Sequence, residues 1–203
     1  GHNEQLYRRS GAFTLNADLF TPDRKLTPYW WENTPRPALE GARVPEAVDV
    51  LIIGSGYTGL HAALQTARGG RSTLVVDAED AGWGCSTRNG GQISTSVKPS
   101  FAVLARRYGP NHAREIVLEG QRSLAWFGQF VAEEEIDCDF GVVGRFHAAH
   151  NAAQFTQLAR AVDHQPAGLE VDAQVVPRAE QRKELGSDAY WGGVLYRQHA
   201  SVD

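Results

Sequence analysis

Several features that this sequence lacks exclude whole classes of function. The 203 residues include no methionine and two cysteines, Cys85 and Cys138, whose positions match neither CxxC nor metal-ligand spacing, so free thiols in a reducing compartment are expected. No apolar run is long enough to cross a membrane, and the first thirty residues lack a signal-peptide core. The net charge of −4 gives no electrostatic basis for binding nucleic acid. A cytoplasmic globular protein without a transmembrane segment is expected.

The first 46 residues are rich in proline and do not have the pattern of a regular domain. The chain opens with Gly-His, which is typical of a cleaved purification tag. Aromatic residues lie between the prolines, which are Pro22, Pro28, Pro35, Pro37 and Pro45. Because proline fixes its own backbone and removes a hydrogen-bond donor, this composition predicts an extended arm over residues 1–46.

One continuous stretch, from Val48 to Asp80, has the order of a dinucleotide-binding unit. It begins with a short run rich in β-branched residues, Val48–Ile53, as in a strand buried on both faces of a parallel sheet. A GxGxxG turn follows, formed by Gly54, Gly56 and Gly59. In that order these glycines permit a tight turn, close approach of backbone to a pyrophosphate, and close packing of helix on strand. A helix over about 57–68 would then present its unpaired N–H groups to phosphates.

An acidic residue follows the second predicted strand, 72–76. Asp77 stands eighteen residues beyond Gly59, close to the spacing of an acid that binds a ribose. No Arg or Lys lies beside it to pair with a 2′-phosphate, so a ligand of the NADP type is disfavoured. The strand, helix, strand and acid together predict a dinucleotide site, which an NAD-dependent dehydrogenase or a flavoprotein could equally use.

The polar run AGWGCSTRNGGQ, from Ala81 to Gln92, favours the flavoprotein. It is too polar and too rich in glycine for a core element. Through this run the chain resembles the glycine/D-amino acid oxidase family of FAD-dependent oxidoreductases, and within it the γ-glutamylputrescine oxidoreductase-like branch. The resemblance extends to PYWWENTPRP, IDCDF and YWGGVLYRQHASVD further along the chain.

The resemblance implies FAD as cofactor and oxidation of a C–N bond in an amine or amino acid to an imine, with hydride transfer to the flavin. It places Ser86, Arg88 and Asn89 along the flavin diphosphate and ribityl chain, and the Gly-Gly-Gln end near the flavin ring. Asp77 departs from the family, which more often has Glu there. The expected cofactor-binding residues are Gly54, Ser55, Gly56, Tyr57, Thr58, Gly59, Asp77, Ala78, Gly84, Cys85, Ser86, Thr87, Arg88, Asn89, Gly90, Gly91 and Gln92. No catalytic residue and no metal ligand is assigned.

The expected fold class is α/β, a Rossmann-type FAD-binding fold that is incomplete in this chain and is followed by the start of an α+β substrate domain. The arm, 1–46, precedes the first half of the FAD-binding domain, 47–100, and residues 101–203 begin with a helical segment. The chain corresponds to about the first half of the resembled proteins. We expect it to be inactive alone, with the second half or a complementing subunit as partner. A flavin-binding module without turnover and an NAD-dependent dehydrogenase are the alternatives.

Further elements follow from hydrophobic periodicity and capping residues. Helices are predicted over Pro110 to about Glu135 and, after Asn151 as N-cap, to about His164. Strands are predicted over 141–149 and 192–199, with a short helix near 179–185 between them. His147 and His150 lie three residues apart, which would put them on opposite faces of a strand, so they are not expected to bind metal together.

Overall fold

The computed structural model of the chain describes residues 20–34 and 44–203. These residues fall into two units, which divide between Arg88 and Asn89. Most of the predicted arm, 1–46, lies outside the described residues, and Tyr29–Glu32 within it forms a short 3₁₀ helix. In the described ranges no helix combines the length and the apolar character needed to span a bilayer. The boundaries predicted at 46/47 and 100/101 stay predictions.

The first unit contains the predicted strand–helix–strand unit. Strand β1 is Val50–Ile53, helix α1 is Tyr57–Arg68 and strand β2 is Thr73–Val76. The two strands are parallel and pair residue for residue. Gly69 caps the C-terminus of helix α1, and its N–H donates to the Gln65 carbonyl (3.0 Å). The prediction is confirmed in type and order, and the strands begin one or two residues later than expected.

The two faces of β1 differ, which corrects the expectation of burial on both. Ile52 faces α1, whereas Leu51 and Ile53 are 56% and 83% exposed. The reason is that the sheet of this described unit has two strands and α1 packs against one side of it. The hydrophobic composition of a strand does not predict whether other elements pack against one of its faces or both.

The second unit combines two antiparallel sheets with three helices among its described residues. In chain order its elements are β3 (Gln92–Ser94), α2 (Phe101–Tyr108), α3 (Pro110–Glu133), β4 (Gly141–Val142), β5 (Arg145–Ala148), α4 (Ala152–Asp163), β6 (Ala173–Val176), β7 (Gly193–Tyr196) and β8 (His199–Ser201). One sheet has the order β3–β8–β4 and the other β5–β7–β6. Helix α4 packs on β6 and β7, and Val194 of β7 is fully buried.

Several predicted elements of this unit need correction. The predicted strand 141–149 is two strands, β4 and β5, because Gly144 between them has a φ of +75°. The run 192–199 likewise contributes to β7 and β8, which belong to different sheets. The short helix near 179–185 is a 3₁₀ helix over Arg178–Lys183. Asn151 is confirmed as an N-cap, since its Oδ1 accepts from the Gln154 N–H (2.9 Å).

Candidate functional site

The glycine turn lies between β1 and α1. Gly54 has a φ of +104°, which is unfavourable for residues with a Cβ, and its N–H donates to the Val76 carbonyl (2.8 Å). A Cβ on Gly59 would lie 2.0 Å from the Gly54 carbonyl oxygen and 3.3 Å from Ile52 Cγ2. The third glycine therefore permits the close approach of helix and strand that the motif predicts.

Ser55 joins this turn to the end of β2. Its N–H and its hydroxyl both donate to Asp77 Oδ2, at 2.7 and 2.5 Å, while its Oγ accepts from the Gly82 N–H (3.2 Å). The Glu79 N–H donates to Asp77 Oδ1 (3.2 Å). These hydrogen bonds, with those of Ser55 strongest, lower the pKa of Asp77 to about 2. Asp77 is thus an ionised carboxylate fixed at the mouth of the turn, and its binding of a ribose stays a prediction.

Ser86 brings the polar run back to the helix. The run forms a 3₁₀ helix over Cys85–Thr87, and Ser86 Oγ accepts from the Tyr57 N–H (3.0 Å) at the start of α1. A Cβ on Gly56 would lie 2.8 Å from the same Oγ. Since the first N–H groups of a helix have no acceptor within the helix, this hydroxyl occupies a position where an anion is also favoured. The sequence predicted both segments as cofactor-binding but not this contact between them.

Trp83 and Arg88 lie on either side of the 3₁₀ helix of the polar run. Arg88 Nε donates to the Trp83 carbonyl (2.8 Å), and its guanidinium carbon lies 4.5 Å from the Trp83 ring centroid. The centroid of the Trp31 ring lies 5.7 Å from the centroid of the Trp83 ring. Thr87 Oγ1 donates to the Gly82 carbonyl, which closes the loop between them. The expected position of Arg88 along the flavin diphosphate and ribityl chain stays a prediction.

The last four predicted site residues belong to the second unit. Asn89 Oδ1 accepts from the Gly91 N–H (2.8 Å), and Gly91 has a φ of +64°. A Cβ on Gly90 would meet no atom within 4 Å. Gln92 is exposed and pairs with Ser201 of β8. The structure therefore gathers Gly54–Gly59, Asp77, Ala78 and Gly84–Arg88 in the first unit, and places Asn89–Gln92 beside β8 in the second.

Comparisons with known proteins agree with this geometry. The family model described as FAD dependent oxidoreductase (DAO) matches residues 49–203. The chain is 32% identical over 154 residues to gamma-glutamylputrescine oxidoreductase of Escherichia coli K12, covering 72% of this chain and 34% of that protein.

Two solved structures share the fold. Glycine oxidase from Bacillus cereus gives a TM-score of 0.59 at 21% identity, over 77% of this chain and 41% of that one. L-amino acid deaminase from Proteus vulgaris gives a TM-score of 0.60 at 18% identity, over 91% and 44%. The expected fold class is confirmed, and the chain spans between a third and a half of the length of these proteins.

Proposed function

The chain belongs to the DAO family of FAD-dependent oxidoreductases, and from that premise we propose that it carries the adenosine diphosphate end of an FAD site in an enzyme that oxidises a C–N bond of an amine or amino acid to an imine. The expectation of FAD is confirmed at the level of the family. Three of the similar proteins, gamma-glutamylputrescine oxidoreductase, glycine oxidase and L-amino acid deaminase, are named for amino compounds. The particular reaction, its substrate and the partner half are part of the proposal.

The observation that carries the proposal is the contact between Ser86 and the first turn of α1. It unites two sequence segments, 29 residues apart, around the helix terminus that favours phosphate. A Cβ on Gly54 or Gly84 would meet no atom within 4 Å, so the backbone beside this terminus is open to a ligand. Asp77, held ionised by Ser55, supplies acceptors for hydroxyl groups at the end of β2. These residues fit the diphosphate and ribose of FAD.

Each part of the chain then has a definite task. The amide groups of the glycine turn and of the start of α1 bind the diphosphate, and Asp77 orients the ribose. Asn89, Gly90, Gly91 and Gln92 lie along the path to the flavin ring. When bound, the flavin supplies the redox chemistry by accepting a hydride from the substrate. The chain's own residues bind and orient, and no acid or base is assigned among them.

A fluorescence titration of the FAD-free, 203-residue chain with FAD tests the proposal. We expect saturable quenching of flavin fluorescence that ADP reverses in competition. Ser86→Ala should weaken FAD binding by about 2- to 10-fold, the value of one hydrogen bond. Ser123→Ala is the matched control, because the Ser123 hydroxyl donates within its own helix to the Glu119 carbonyl (2.7 Å) and should leave affinity unchanged.

The alternatives give different results in the same experiment. Failure of FAD to bind, together with saturable binding of NAD to the same chain, would support a dehydrogenase and contradict the proposal. FAD bound without any loss of its visible absorption on anaerobic addition of amines or amino acids, even after the second half of the protein is supplied, would support a module without turnover. A cytoplasmic location and a complementing subunit stay predictions.

A further inference from the structure

Asn89 and Gly90 form an exposed, irregular segment of the second unit, shortly before β3. In an asparagine–glycine pair the side-chain amide meets little steric resistance from the next residue, because glycine has no Cβ. A Cβ on Gly90 would meet no atom within 4 Å, so the space beside its Cα is open. Within the described ranges the Gly90 N–H has no hydrogen-bond acceptor. The backbone nitrogen of Gly90 is therefore available for reaction.

Gly91 orients the side chain of Asn89. The Gly91 N–H donates to Asn89 Oδ1 (2.8 Å), and Gly91 itself is buried with a φ of +64°. Its carbonyl accepts from the Val202 N–H (2.9 Å), which anchors this donor to the segment that follows β8. The hydrogen bond to Oδ1 closes a ring of atoms that includes both Asn89 Cγ and the Gly90 nitrogen. The side-chain carbonyl is thus held close in the chain to that nitrogen and is polarised by its donor.

We propose that Asn89–Gly90 is a self-modification site, at which the chain deamidates through a succinimide. Hydroxide takes the proton of the Gly90 N–H, and the nitrogen attacks Asn89 Cγ. Negative charge then develops on Oδ1, where the Gly91 N–H donates. The bond from Cγ to the side-chain nitrogen breaks, and ammonia leaves with a proton from water, which regenerates hydroxide. Water then opens the imide at Cγ to give aspartate, or at the main-chain carbonyl to give isoaspartate.

The modification changes this segment in two ways. Both products replace a neutral amide by a carboxylate, and isoaspartate also lengthens the main chain by one methylene group between residues 89 and 90. Because β3 begins at Gln92 and pairs with Ser201, little chain is available to absorb that extra length. If the proposed function is right, this segment lies along the flavin, so the modified chain loses FAD affinity and bound FAD shields Asn89. The modification would then inactivate chains that remain without cofactor.

Incubation of the FAD-free chain in mildly alkaline buffer tests the inference. Peptide mapping by mass spectrometry measures the loss of each asparagine amide, and enzymatic methylation measures isoaspartate. We expect Asn89 to lose its amide progressively, at a rate that rises with pH because hydroxide removes the Gly90 proton. Asn151 is the internal control, since its Oδ1 also accepts a backbone N–H, that of Gln154 (2.9 Å), but the next residue, Ala152, has a Cβ and begins α4. Asn151 should keep its amide.

Gly90→Ala and unfolding in urea separate the two features on which the inference depends. A Cβ on Gly90 meets no atom, so the variant should fold like the parent, yet it crowds the attacking nitrogen. We expect the rate at Asn89 to fall about tenfold, a rise in the barrier of about 1.4 kcal/mol. The chain unfolded in urea lacks the hydrogen bond from Gly91, and the folded chain should react at least as fast. Persistence of the Asn89 amide in the folded chain, a folded rate well below the rate in urea, or equal rates in parent and Gly90→Ala would overturn the inference.

FAD titration of the same samples distinguishes this inference from the proposed function. We expect saturating FAD to slow the loss of the Asn89 amide, and the modified chain to bind FAD more weakly than the parent. Modification of a chain that does not bind FAD would support the Asn89–Gly90 site while the proposed function falls. Binding of FAD that leaves the rate at Asn89 unchanged would overturn the link between the modification and the cofactor.

Discussion

Replacement of Gly59 by alanine tests how closely α1 must approach β1. The added Cβ would lie 2.0 Å from the Gly54 carbonyl oxygen and 3.1 Å from its carbon, so backbone must move by about 1 Å to relieve the overlap. Overpacking of this kind costs about 1–3 kcal/mol or more. Because the overlap is with backbone and not with the end of a flexible side chain, the upper part of that range applies, about 2–3 kcal/mol. Alanine recovers about 1 kcal/mol through its higher helix propensity. We therefore expect Gly59→Ala to lower the free energy of unfolding by roughly 1–2 kcal/mol and to weaken FAD binding.

Urea denaturation followed by circular dichroism measures the stability change, and fluorescence titration measures the affinity. Gly84→Ala is the matched stability control, because Gly84 has a φ of −76° and a Cβ there would meet no atom within 4 Å. A Gly59→Ala chain as stable as the parent, or more stable, would refute the reasoning, since helix propensity would then outweigh the contact with Gly54.

Two further predictions concern single residues outside that contact. The pKa of Asp77 is lowered to about 2 by Ser55, so its stabilising contribution is present above the ordinary carboxyl pKa of 3.8 and is lost as pH falls from about 4 toward 2. Asp77→Asn should flatten this part of the stability profile in acid denaturation, and an unchanged profile would contradict the assignment. A Cβ on Gly193 would lie 2.3 Å from the His147 carbonyl oxygen, so Gly193→Ala should destabilise the second unit by about 1–3 kcal/mol in urea. Gly186→Ala, where a Cβ meets no atom within 4 Å, is its control, and equal midpoints for the two would count against the packing argument.

The strand–helix–strand unit could be predicted because its information is local. The GxGxxG spacing fixes where the helix begins, and the contact of Gly59 with the Gly54 carbonyl is the steric reason for the spacing. Helix α3 was equally predictable, since its apolar residues recur over a long segment. In both cases residues close in sequence determine the conformation, so no knowledge of distant partners is needed.

The strands of the second unit were harder to predict because their boundaries depend on distant pairings. Gly144 interrupts the apparent strand 141–149, and a Cβ there would lie 3.2 Å from the Tyr196 carbonyl oxygen, more than 50 residues away. Likewise 192–199 divides because β7 pairs with β5 and β6, whereas β8 pairs with β3 and β4. Periodicity along the sequence contains neither fact.

The candidate site shows a related difference between motif and geometry. Asp77 was predicted to bind a ribose because of its spacing from Gly59. In the chain itself its carboxylate accepts hydrogen bonds from Ser55 and from the Glu79 N–H. Ser86 likewise has a structural partner in the Tyr57 N–H. A loss of FAD affinity on substitution of either residue therefore combines a binding effect with a local structural one. Only a parallel measurement of stability can separate the two.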